Sequence, residues 1–336
     1  MRVGLSLPHY DYSLPDREPI SFARMVQFAR FAERVGFDSV WVSDHFFFSL
    51  ERYGGPPELQ GSLEPMTTLA GLAPIVERVR LGTLVLGASF RHPAILAKAA
   101  TALDLLSGGR LDLGIGAGWY GAEFEAFGYP FGTVGERFSI LEESVEVLDA
   151  LLRGGPVDFE WRHFTLRQAY NRPLPAQRPR PPIWVGGKGG DRLLWLAAPA
   201  AADGWNTVWR WSVPAYAEKV ARARELCERE GRDPATLRLS LGLYTLVGEN
   251  PDDLVARWHG MQRWMPGGAL DGELLDAFML DTLTGTPEQV LERMGEFAAL
   301  GVEEIIVSPG PLPFAVPDRA MLEVFAAAVL PSAREL

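Results

Sequence analysis

Short apolar runs alternate with longer amphipathic stretches from one end of the chain to the other. Val3–Leu7 predicts a strand, and Phe22–Arg34 a helix that stops at Gly36, a residue suited to a left-handed helix end. Phe37–Val42 is the next strand, followed by a long segment with Gly and Pro, His45–Pro65, and a helix over Met66–Glu77. Arg80–Leu86 reads as a third strand, Pro93–Leu106 as a helix with Pro in its first turn, and Leu111–Ile115 as a fourth strand ending in glycines. Glu136–Leu152 carries Ile140, Leu141, Val145, Leu148 and Leu152 at helical spacing. The alternation in Val157–Leu166 predicts a hairpin, and Pro173–Pro182 reads as a connecting loop because no composition shift accompanies it. Ile183–Val185, Asp203–Thr207, Arg238–Val247 and Glu304–Val307 are the remaining strands. Helices over Pro214–Glu230, Pro251–Trp264, Pro287–Leu300 and Pro317–Val329 complete the series, with Thr286 as an N-cap.

Uniformly apolar strands of this kind fit a parallel sheet buried on both faces. Eight strand–helix steps are what a closed barrel requires. The α/β pattern therefore predicts a single (βα)8 TIM barrel over 1–336, with an insertion at 133–182 between the fourth and fifth strands. An open doubly wound sheet is the alternative, and the sustained alternation favours the barrel.

Composition narrows the functional classes. The chain has 336 residues, 47% hydrophobic and 22% charged, with 32 basic against 43 acidic side chains and a net charge of −11. That balance argues against nucleic acid as a partner, because phosphate binding needs a concentrated basic surface. No apolar run reaches the roughly 20 residues of a membrane span, and the N-terminus passes straight into a strand without a signal-peptide layout. A cytoplasmic enzyme acting on a small molecule is the expectation. The single cysteine, Cys227, lies in a helical run and is expected to pack.

In a βα barrel, reacting groups lie just beyond the carboxyl ends of the strands. Asp44-His45 stands there after the second strand, where a histidine can hydrogen-bond a cofactor edge or move a proton. A turn-capping Asp beside a packed His is the plainer reading of the same pair. Gly114-Ile115-Gly116-Ala117-Gly118-Trp119 ends the fourth strand, and glycines there let a flat ring approach the backbone. Trp119 would wall that cleft, or else pack in the core, with Glu123 one turn onward. Gly186-Gly187-Lys188-Gly189-Gly190 follows the fifth strand and opens a helix, a setting for an anion held by backbone amides. The five histidines, His9, His45, His92, His163 and His259, have no metal-ligand spacing. Glu142-Glu143 and Glu303-Glu304 read as solvated charges.

In this order and spacing, several motifs resemble the luciferase-like flavin and deazaflavin oxidoreductases over nearly the whole chain. They are Trp41-Val42-Ser43-Asp44-His45-Phe46, Leu81-Gly82-Thr83, Arg91-His92-Pro93-Ala94, Ser107-Gly108-Gly109-Arg110, Gly114 to Trp119, Pro182 to Gly187, and Gly285-Thr286-Pro287-Glu288. Ser43 to Phe46, Glu123 and Gly135-Glu136-Arg137-Phe138 resemble the F420-dependent branch in particular. The resemblance implies a tricyclic cofactor, coenzyme F420, lying across the strand ends beside Asp44 and His45, with His45 and Asp44 as catalytic residues. It implies a non-proline cis peptide at Leu84–Val85 against the ring, and a cofactor site that includes Gly116, Gly118, Trp119, Glu123, Gly186, Gly187, Lys188 and Gly189. It also implies a homodimer. Trp119 stands where the glucose-6-phosphate dehydrogenase branch carries a glutamate, which argues against sugar-phosphate oxidation. An FMN-dependent monooxygenase using oxygen, and a non-catalytic flavin-binding protein, are the alternatives to hydride transfer with F420.

Overall fold

Nearly every residue of the eight apolar runs is buried, as a parallel sheet covered on both faces requires. The computed structural model describes residues 1–336. Its barrel strands are β1 (Arg2–Ser6), β2 (Ser39–Val42), β3 (Arg80–Thr83), β4 (Leu111–Gly116), β5 (Ile183–Gly186), β6 (Gly204–Trp209), β7 (Arg238–Val247) and β8 (Val302–Ser308). Each pairs in parallel with its sequence neighbours, and β1 pairs with β8 to close the ring. The closed barrel is thus present, and the open sheet is excluded.

Local chemistry explains the helix boundaries. The first helix ends where Gly36 takes φ 104° and its N–H reaches the Ala32 carbonyl. Helix Pro93–Leu106 begins on a proline after the cap His92. The helix read over Glu136–Leu152 starts two residues earlier than its apolar spacing predicts, at Val134. Thr133 and Glu136 form a reciprocal capping box there, and Thr286 and Gln289 do the same for helix Pro287–Ala299.

Four stretches differ from their sequence reading. The strand expected over Arg80–Leu86 stops at Thr83 and resumes only as Leu86–Gly87, with the cis bond expected at Leu84–Val85 lying between them. The helix expected over Met66–Glu77 is shorter, Pro65–Leu72, and capped by the Glu64 carboxylate. The segment His45–Pro65 contains an antiparallel hairpin, Phe47–Ser49 with Leu59–Gly61. The second hairpin runs further than its alternation, pairing Val157–Glu160 with Thr165–Ala169.

Two glutamates read as solvated are buried. Glu143 accepts hydrogen bonds from the backbone N–H groups of His163 and Phe164, which anchors the second hairpin. Glu304 lies in the barrel interior near its amino-terminal end. It accepts from Ser39 Oγ and stands 2.9 Å from Arg2. Burial pushes its carboxyl upward in pKa while Arg2 opposes the shift.

The interior layer above it is filled by Trp41, with glycine opposite. A Cβ on Gly82 would stand 2.2 Å from the Trp41 ring, and a rigid, fully buried indole cannot give way. Gly82→Ala should therefore lower the urea midpoint, at unchanged m-value, by an amount worth about 1–3 kcal/mol. An unchanged midpoint would show that this layer is loosely packed.

Candidate functional site

The carboxyl ends of the strands open into one cavity of about 510 Å3, a size suited to a cofactor with a small ligand. Its lining draws together most of the residues singled out from the sequence: Asp44, His45, Leu84, Val85, Gly116, Gly118, Trp119, Glu123, Gly186, Gly187 and Lys188. Gly189 is the exception. A Cβ there would meet the Trp205 ring at 2.8 Å, so the residue faces the outer layer of the barrel. Gly190 takes its place on the cavity wall.

Asp44 is fully engaged. Its carboxylate accepts the Gly87 N–H at 2.9 Å and both terminal nitrogens of Arg91 at 2.6 and 2.9 Å. Arg91 also reaches Glu64 at 2.6 Å. Burial works against the guanidinium charge, but the hydrogen bonds and attraction of Asp44 and Glu64 outweigh it and hold the proton firmly. Asp44 thus ties the end of β2 to the segment beyond β3 and holds its loop.

His45 is oriented from the far side of the cavity. Glu123, buried in the first turn of helix Gly121–Ala126, accepts from His45 Nδ1 at 2.8 Å and from the Phe46 N–H at 2.9 Å. A carboxylate on Nδ1 fixes the proton there, so Nε2 is the ring nitrogen left for a ligand. Tyr10 joins the same wall, with its ring 6.3 Å from that of His45. Ser43 Oγ donates to the Tyr10 hydroxyl at 2.7 Å, and burial pushes that phenol well up, so it stays protonated and can donate.

The glycines serve a different neighbour from the one the sequence suggests. A Cβ on Gly114, Gly116 or Gly186 would stand 2.9, 2.9 or 2.5 Å from the Val85 side chain. Gly116 and Gly186 lack side chains because Val85 stands over them, and Gly114 chiefly because the Thr83 carbonyl would lie 2.1 Å from its Cβ. The cavity floor is therefore Val85, with bare backbone at its edges.

Trp119 is 43% exposed, which excludes plain core packing. Its ring meets His45 edge-on at 5.6 Å, and the Arg52 guanidinium lies 4.5 Å from the ring centre. Lys188 points toward the Arg210 carbonyl and lies 5.2 Å from the Trp211 ring. Burial lowers its pKa, with Asp281 opposing and the nearby Arg210 and Arg52 adding to the fall.

Sequence reasoning missed Tyr10, Arg52, Arg91, Trp209 and Phe314. Arg91 offered a signal, since it opens an Arg-His-Pro motif just ahead of a helix. Trp209 ends β6, past the run read as a strand, and the others lie on excursions with no periodic pattern.

Residues 1–304 match the luciferase-like monooxygenase family. The chain is 32% identical to an F420-dependent glucose-6-phosphate dehydrogenase of Amycolatopsis mediterranei over 59% of this chain and 57% of that one. It is 34% identical to the pyrimidine monooxygenase RutA of a Bradyrhizobium species, over 82% and 72%. The chain thus spans less than two thirds of the first relative's length. In fold it is similar to the monooxygenase RslO1 of Streptomyces bottropensis, with a TM-score of 0.77, 23% identity and 99% of both chains covered.

One buried group beside this site gives a pH dependence. His9, just beyond β1, makes a 2.6 Å hydrogen bond through Nε2 to the Leu63 carbonyl, and burial drives its pKa down to about 4. The unfolded chain binds a proton there below about pH 6.5, and the folded chain does not until about pH 4. This contribution to stability is complete above the unfolded value and is lost as pH falls toward the folded one. Lowering pH from 7 to 5 should cost about 2 kcal/mol at His9. His9→Gln, which keeps a donor for Leu63, should flatten the fall of the urea midpoint over that range. An equal slope in both proteins would remove His9 as the cause.

Proposed function

The chain belongs to the luciferase-like monooxygenase family, and from that premise we propose an F420-dependent oxidoreductase that transfers a hydride between reduced deazaflavin and a small organic substrate. The observation carrying this reading is the placement of an oriented imidazole beside the Val85 bulge in one cavity. A flat, largely apolar ring fits such a floor, because Val85 is bordered there by the bare backbone of Gly116 and Gly186. The donors around it also suit an anionic, hydrogen-bonding cofactor. Bound there, reduced F420 supplies the hydride.

The protein's own part is to orient and to handle a proton. Leu84 and Val85 support the ring, and Gly116 and Gly118 form its rim. Trp119 closes the mouth. Gly186, Gly187 and Lys188 hold the anionic tail. Asp44 keeps the β2 loop in place through Arg91 and Gly87. His45, with Nδ1–H given to Glu123, presents Nε2 to the reacting group. In its neutral form Nε2 takes a proton from a substrate hydroxyl, and as imidazolium it gives one to a carbonyl oxygen.

Titration of the purified protein with F420 and with FMN decides the cofactor. Saturable binding of F420, weaker for FMN, is expected. Tight FMN binding without F420 binding, with oxygen consumed alongside reduced FMN, would replace this reading with an FMN-dependent monooxygenase. His45→Ala should leave cofactor affinity within about tenfold and lower turnover by roughly 10²-fold. Unchanged turnover would remove His45 from the mechanism.

A further inference from the structure

Most charged groups facing the cavity are already committed. Asp44 is held by Arg91 and Gly87, and Glu123 by His45 and Phe46. Arg137 spends its guanidinium on the carbonyls of Gly118, Phe131 and Gly132. Lys188 stands on the glycine loop and is given above to the cofactor tail. Arg52 remains. It makes no ion pair or hydrogen bond and rests on the exposed face of Trp119. An uncommitted guanidinium presents a rigid fork of donors suited to a carboxylate or similar anion. In a chain of net charge −11, such a group is a local exception at the mouth of a pocket, where it attracts anions against the field of the surface.

The cavity that Arg52 lines also has an aromatic wall, and the backbone of that wall is strained. Four residues other than glycine have positive φ, and two of them, Trp209 at 146° and Phe314 at 56°, line this cavity. Their rings meet edge-on at 5.4 Å, and Trp209 stacks on Tyr244 at 5.4 Å with an angle of 7°. Left-handed backbone at bulky residues is costly, and it collects where a surface has a task. From Phe314 the wall continues through Tyr10, 6.1 Å away, to His45. Trp119 reaches His45 from the other side. A flat ring lying along this wall would end beside the imidazole. A hydroxyl-rich ligand fits poorly, because aromatic walls would leave its hydroxyls unpaired.

Resting on the reading of the site given above, we propose that the substrate is a planar aromatic compound bearing an anionic group. Its rings lie against the Tyr10–Phe314–Trp209 wall, and its anion is gripped by Arg52 at the mouth. Arg52 is then the residue that selects for the acid.

Calorimetric titration of the full chain tests this, once loaded with F420 and once with FMN. The loading step reports the cofactor, and the following titrations report the substrate class alone. The probes are 2-naphthoate, its neutral counterpart 2-naphthylmethanol, and the non-aromatic anion cyclohexanecarboxylate. In whichever loaded form is obtained, 2-naphthoate should bind at least tenfold more tightly than either of the others. Arg52→Gln should abolish the preference over the alcohol, and Arg52→Lys should keep part of it. Cofactor affinity should stay within about twofold in both variants. The proposal fails if 2-naphthoate does not bind, if it binds no better than the alcohol, or if its preference survives Arg52→Gln. A parallel loss of cofactor affinity in Arg52→Gln would assign the residue to the cofactor and overturn the proposal equally.

Discussion

Two buried carboxylates hold the working face of this barrel together. Asp44 receives three donors from beyond β3, and Glu123 two from beyond β2. A carboxylate deprived of water is tolerated only when its lone pairs are met in this way. Between them they fix both ends of the tripeptide Asp44-His45-Phe46, so the imidazole is held from two neighbouring strands rather than by its own loop. The same pairing spends the lone pairs of both carboxylates on protein donors. What still faces a ligand is an imidazole, a lysine and an arginine, within a chain that is acidic overall. Orientation of His45 and the electrostatic character of the pocket therefore share one cause.

A second constraint is steric. Val85 occupies the space that side chains at Gly116 and Gly186 would need, and the Thr83 carbonyl that at Gly114, so β3 and its extension account for glycines on β4 and β5. Close packing leaves no slack for a methyl group at these positions. The floor is consequently shaped by the barrel itself and is insensitive to loop movement. Rigid strand ends suit a group that must be held to within about half an ångström for transfer chemistry.

Legibility in the sequence followed the range of the interactions. Helix Pro93–Leu106, strand Arg238–Val247 and helix Pro251–Trp264 have the bounds that their apolar period and first-turn prolines predict. Those signals are local. The break of β3 after Thr83 is not, because Leu84-Val85-Leu86 is as apolar as any strand, and only the motif resemblance pointed to the cis bond there. The hairpin inside His45–Pro65 has strands of three residues, too short for alternation to register. In the glycine loop the composition identified the segment, yet which glycines face inward depends on backbone direction. Gly189 turns to Trp205 and Gly190 to the cavity for that reason. Arg91 was present within a quoted motif, but its partner Asp44 is 47 positions away.

The division between legible and hidden residues coincides with a division of labour. Asp44, His45, Val85, Gly116 and Gly186 sit on strands or one step beyond them, where the barrel fixes their place. Arg52, Trp209 and Phe314 sit at strand tips or on excursions, and their positions come from contacts made elsewhere. The Arg52 excursion is fastened by the pairing of Phe47 with Gly61, by Asp11 accepting the Gly61 N–H at 2.6 Å, and by Ser62 donating to the His45 carbonyl. None of these contacts passes through Val85 or the glycine loop. Substitutions at the tip of the excursion can therefore change what is gripped at the mouth while the imidazole and the floor stay in place. The excursion meets the imidazole's residue at one hydrogen bond, from Ser62 to the His45 carbonyl, while Val85 and the glycine loop hang on contacts of their own.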